Sequence, residues 1–125
     1  LNLTPKLEAA CIALADPARS RLTPAVPIVP ADEGADEKSF QADVVKLAKR
    51  CGWRVFHVHD SRKSEKGWPD LVLLRGQVLL FVELKTMTGT VQPEQQEWLD
   101  ALQTAGQTVH VLRPSDWPTI VEVLR

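Results

Sequence analysis

PDLVLLRGQVLLFVELK, residues 69–85, is the stretch whose reading decides the fold. Two apolar runs, residues 70–75 and 78–85, flank the dipeptide Gly76-Gln77. Each run is long enough for a strand, and the glycine allows the tight turn that joins them, so the stretch is a β-hairpin. Val78, Leu79, Leu80, Phe81 and Val82 are consecutive apolar residues, which implies a strand buried on both faces. Two charges then follow in the same strand, Glu83 and Lys85, with Leu84 between them. Side chains two apart on a strand leave the same face.

A carboxylate at the end of a buried strand is costly unless it is paired or bound to a cation. The hairpin sharpens this, because it lays the start of one strand beside the end of the next. Asp70 therefore falls next to Glu83, with Lys85 alongside. Two adjacent carboxylates repel, and a divalent cation relieves the repulsion. Mg²⁺ typically takes one or two protein carboxylates and keeps other positions for water or phosphate oxygens. Simpler readings exist for each residue alone. Glu83 and Lys85 could be an ion pair at the strand edge, and Asp70 could be a turn residue after Gly67-Trp68-Pro69. The three together on adjoining strands are harder to explain that way.

Working outward, Phe40, Val44, Leu47, Ala48 and Cys51 form a helical stripe that ends near Gly52. Residues 53–59 read as a strand, and residues 60–69 as a polar loop. Beyond the hairpin, residues 93–105 read as an amphipathic helix stopped by Gly106. Residues 108–112 then form a strand and residues 116–124 a closing helix. The order is α-β-β-β-α-β-α. The unit from Val78 to Leu112 should be a right-handed parallel crossover, which makes the sheet mixed and the class α/β. Residues 1–35 differ in character. Thr4-Pro5 opens a short helical pattern, and Pro24, Pro27 and Pro30 mark an extended linker. The expected division is an N-terminal segment, 1–35, and one domain, 36–125.

The 125 residues carry a formal charge of −1, with 44% hydrophobic and 25% charged residues. That balance fits one globular domain, and it leaves room for a local basic patch. Cys11 and Cys51 form neither a disulfide framework nor a metal-knuckle spacing. No apolar run reaches membrane-span length and no signal-peptide pattern opens the chain, so a cytoplasmic setting is expected.

Further candidates surround the hairpin. Glu37 lies in helical phase with Phe40 and Val44, so it either solvates the first turn or points toward the sheet. Gln95 precedes Trp98, Leu99 and Leu102 at helical spacing; its amide either caps the helix or finds partners in the site. His57 and His59 share a strand face without a third ligand at suitable spacing, which favours phosphate contact or edge packing over metal binding. Arg62, Lys63 and Lys66 cluster just before Asp70, where they could track a phosphate backbone. Trp68 is placed to stack on an unpaired base.

Pro69-Asp70 with Glu83-Leu84-Lys85 resembles the PD-(D/E)XK nuclease motif. Glu37, Gly67-Trp68-Pro69-Asp70, Phe81 to Thr86, Pro93-Glu94-Gln95 and Trp98-Leu99 together resemble the VRR-NUC family over roughly residues 36–113. The resemblance implies a restriction-endonuclease-like core. It also implies Mg²⁺ or Mn²⁺ on Asp70, Glu83 and the Leu84 carbonyl, with Glu37 ligating directly or through water. Lys85 would act on the attacking water, and Gln95 would belong to the catalytic set. The implied activity is DNA endonuclease, with branched DNA such as Holliday junctions as substrate and a homodimer as the working form. Such a protein would act in a bacterial or phage-infected cell. The competing reading is a catalytically silent or partner-dependent nucleic-acid-binding module on the same fold.

Overall fold

The computed structural model of the chain describes residues 32–58 and 65–125. The expected N-terminal helix and Pro-rich linker lie outside the described residues, as do His59, Arg62 and Lys63. Helix α1, Glu37–Arg50, is followed by strands β1, Arg54–His57, β2, Leu71–Arg75, and β3, Val78–Leu84. Helix α2, Pro93–Thr104, then leads to strand β4, Thr108–Leu112. A 3₁₀ turn, Pro114–Asp116, precedes helix α3, Trp117–Leu124. The strands lie in the order β1-β2-β3-β4, antiparallel except for the parallel β3–β4 pair. This is the expected mixed sheet with three flanking helices, an α/β fold.

Local signals account for the helices. Asp36 caps α1 by accepting the Ser39 amide at 2.8 Å. Glu37 in the first turn and Lys49 and Arg50 in the last oppose the helix dipole. The predicted stripe is buried: Phe40, Val44 and Ala48 are fully covered and Leu47 nearly so. They pack on one face of the sheet with Leu71, Leu73, Leu80, Val82, Leu84 and Leu112, and α3 closes that core with Trp117, Ile120 and Leu124. The alternate β3 residues, Phe81 and Glu83, and Lys85 beyond them, face the other way. There Trp68 meets Phe81 and Trp98 edge-on, at 5.8 and 4.9 Å between ring centroids.

Some boundaries differ from the sequence reading. The first strand covers only residues 54–57, because Gly52, with φ 88°, turns the chain so that Trp53 enters the core. Its indole N–H donates to the Leu124 carbonyl at 2.8 Å, and the Arg75 guanidinium lies 4.2 Å from its ring centroid. β2 begins at Leu71 rather than Asp70, and β3 ends at Leu84, although the Lys85 N–H still donates to Leu112 at 3.0 Å. Of the stripe expected on α2, Leu99 is buried while Trp98 and Leu102 are only half-buried. No helix among the described residues is long and apolar enough to cross a membrane.

Candidate active site

The hairpin brings Asp70 to Glu83 as the sequence predicted, with backbone as well as side-chain contact. Asp70 follows Pro69, which is fully buried and fixes the turn into β2. Its Oδ2 accepts the N–H of Leu84 at 2.8 Å, so the carboxylate is tied to the backbone between Glu83 and Lys85. Glu83 is 1% exposed and Lys85 8% exposed; no other charged residue is buried among those described. The Lys85 Nζ lies 3.4 Å from Glu83 Oε2. Gln95, at the start of α2, donates its Nε2 to the same Oε2 at 2.8 Å.

Gln95 makes two hydrogen bonds that join the helix to the carboxylate. Its Oε1 accepts the Gln92 N–H at 2.8 Å and so caps α2, while its amide nitrogen serves Glu83. One side chain therefore fixes the helix start relative to the carboxylate. Gly67 fixes it from the other side. A Cβ on Gly67, whose φ is 91°, would stand 2.5 Å from the Glu94 carbonyl group. The turn before Asp70 thus lies directly on the α2 backbone, which no side chain larger than hydrogen permits.

The electrostatics of the cluster are strained. Burial pushes the Glu83 carboxyl up to about 7; Asp70 pushes in the same direction and Lys85 partly opposes it. Asp70 is also raised, chiefly by burial, with the Leu84 N–H and Lys85 opposing. Glu37 is raised by burial and by Asp70, against Lys85. Glu37 is in phase with the apolar stripe but remains exposed, because the first turn of α1 overhangs a cleft instead of the core. That cleft, of about 250 Å³, is walled by Glu37, Val58, Glu65, Lys66, Gly67, Trp68, Asp70 and Gln95.

One atom tests whether a cation fits. Glu83 Oε1 is fully buried and has no hydrogen-bond partner among the described residues. A buried carboxylate oxygen left unsatisfied is costly, and a hard cation beside Asp70 would satisfy it. Among the described residues no three His, Cys, Asp or Glu side chains converge to hold a metal by themselves. Asp70 and Glu83 are the carboxylates that could hold one, and two carboxylates completed by backbone or water oxygens would suit a hard divalent cation.

The VRR-NUC domain family model matches residues 19–116. The chain belongs to the VRR-NUC family. A solved structure described as a VRR_NUC domain protein resembles this one with a TM-score of 0.58, over 73% of this chain and 86% of its own. At 22% identity that likeness speaks for the fold. No curated protein matches the sequence. As a VRR-NUC domain, this is a nuclease-type domain.

The remaining candidates of the VRR-NUC domain are dispersed. His57 packs toward α1, its Nδ1 3.5 Å from Gln41 Nε2, and does not wall the cleft. Lys66 is 82% exposed at the cleft edge and pairs with Glu94 at 3.2 Å. Trp68 walls the cleft but is half-buried by its ring contacts. Sequence reasoning missed Glu65, which walls the cleft from within the loop read only as polar. It also missed the close approach of Gly67 to α2; the glycine marked a turn, and nothing local to it names the helix it meets.

Proposed function

We propose that this VRR-NUC domain is a metal-dependent DNA endonuclease of the PD-(D/E)XK type. Asp70, Glu83 and the Leu84 carbonyl would hold Mg²⁺ or Mn²⁺, with Glu37 contributing through water. The observation that carries this is the buried, unsatisfied Glu83 Oε1 beside a second carboxylate. Charge supports the same reading. Glu37, Glu65 and Asp70 wall the cleft, and such a site repels a phosphodiester until a cation neutralises it.

The bound cation would lower the pKa of an attacking water and stabilise charge on the phosphoryl oxygens. The protein's own groups supply the rest. The Lys85 ammonium has three donors. One is directed at Glu83 Oε2, which leaves others to orient the water and bind a phosphate oxygen as negative charge develops. Gln95 keeps Glu83 Oε2 engaged, which would leave Oε1 available to a cation. Lys66, together with Arg62 and Lys63, would bind flanking phosphates. Trp68 at the cleft wall would stack on an unpaired base, and His57 is left a peripheral phosphate contact at most.

The substrate we assign is branched DNA such as a four-way junction, cut by a homodimer. One such centre cuts one strand per encounter, and a two-fold dimer presents two centres related by the symmetry of a junction. The test is cleavage by the full chain, with and without Mn²⁺, of labelled four-way junction, flap, single-stranded and linear duplex DNA. Junction cutting that needs Mn²⁺ and is lost in Asp70→Asn is expected. Binding without cutting would favour the silent module. A monomer that cuts linear duplex as well as junctions would leave the nuclease and remove the branched substrate.

A further inference from the structure

We infer that Arg113 is a positioning residue for Lys85, a role that rests on the nuclease reading of that lysine. Lys85 directly follows β3, and residues 86–89 form the loop after it. The Arg113 Nη1 donates to both the Thr86 carbonyl at 2.6 Å and the Gly89 carbonyl at 2.7 Å. One guanidinium nitrogen thus holds both ends of the loop, and its charge meets backbone carbonyls where a carboxylate would be the usual partner. Within the loop, the Gly89 N–H donates to Thr86 Oγ1 at 3.0 Å.

The closed loop passes beside the lysine's stem. A Cβ built on Gly89 would come within packing distance of Lys85 Cδ, at 3.7 Å, so the Gly89 backbone lies close along one side of that stem. Arg113 is itself anchored from two sides. Its N–H donates to Asp116 Oδ2 at 2.8 Å, and the carbonyl of the preceding Leu112 accepts the Lys85 N–H at 3.0 Å. The side chain of Lys85 is a flexible four-carbon stem carrying a compact charge. Its ammonium stays near Glu83 only if the stem is confined, and the Arg113 clamp supplies one wall of that confinement.

The experiment compares wild type, Arg113→Ala and Arg113→Lys in the full chain. A lysine keeps several donors on one nitrogen and can serve both carbonyls, so it should rescue. The first readout is the rate at which acetic anhydride labels the Lys85 amine, followed by peptide mass spectrometry with exposed Lys49 as control. Arg113→Ala should label Lys85 several-fold faster, leave Lys49 unchanged, and return toward wild type in Arg113→Lys. The second readout is Mn²⁺-dependent cleavage. The Ala variant should lose kcat by about tenfold to a hundredfold, the scale expected for a misplaced catalytic group. KM and calorimetric Mn²⁺ affinity should hold. If Arg113→Ala fails to fold, Arg113→Gln, too short to span to the loop, takes its place. Unchanged Lys85 labelling, or Mn²⁺ affinity falling in step with kcat, overturns the clamp. Absence of cleavage in wild type overturns the nuclease reading, and the labelling result still decides the clamp.

Discussion

The two faces of β3 are drawn from alternate residues of one seven-residue strand, yet they are buried in opposite ways. Leu80, Val82 and Leu84 enter an apolar core with α1 and α3, where shape is the only demand. Phe81 and Glu83, with Lys85 just beyond, face the aromatic cluster and the first turn of α2. There a carboxylate is 1% exposed and one of its oxygens has no hydrogen-bond partner among the described residues. Burial therefore stabilises on one face and stores electrostatic cost on the other. The second face tolerates that cost because the first supplies the stability, and under the proposed function a cation would relieve the strain on Glu83.

The largest expected effect breaks the charged face alone. Asp70→Asn should reduce Mn²⁺-dependent cleavage by at least about a thousandfold, equivalent to roughly 4 kcal/mol of barrier, while circular dichroism stays native. Full activity in that variant would end the proposal. The counterpart on the apolar face is Leu73→Ala, at a side chain with no exposed surface. It should cost about 2–5 kcal/mol of unfolding free energy and leave kcat per folded molecule unchanged. A change in kcat there would mean that the two faces are not independent.

Glu83→Gln sharpens the contrast, since it should stabilise the metal-free protein as it abolishes cleavage. The folded-state pKa of Glu83 is raised from 4.5 to about 7. Its favourable contribution is thus present below about pH 4.5 and lost as pH rises through about 7. At pH 8 the amide should be more stable than wild type, and the gain should vanish near pH 4. Mn²⁺ should raise the melting temperature of wild type at pH 8 but not that of the variant. Equal melting temperatures of the two metal-free proteins at pH 8 would show that Glu83 is not strained.

The smallest effect is expected at Gln95, which belongs to both the fold and the site. Gln95→Ala should lower kcat about tenfold, or roughly 1.4 kcal/mol of barrier, and cost about 1 kcal/mol of stability through the lost cap. Glu37→Ala, exposed and remote from the cap, should lower kcat with no loss of stability. If Gln95→Ala reduces only the melting temperature, its bond to Glu83 has no part in turnover.

By itself the sequence determined the hairpin, the order of elements and the pairing of Asp70 with Glu83. Those follow from two apolar runs of strand length, a Gly-centred turn and the geometry of antiparallel neighbours, all local in the chain. The phase of α1 was equally legible in Phe40, Val44 and Leu47, whereas the exposure of Glu37 was not, because phase does not say where the sheet ends. Only the tertiary structure decided that Gln95 would divide its amide between the α2 cap and Glu83, that Gly67 would lie on the α2 backbone, and that Arg113 would reach the carbonyls after Lys85. The last two join segments far apart in sequence through backbone atoms. Backbone atoms are common to every residue, so neither partner leaves a mark in the pattern of side chains that would name the other.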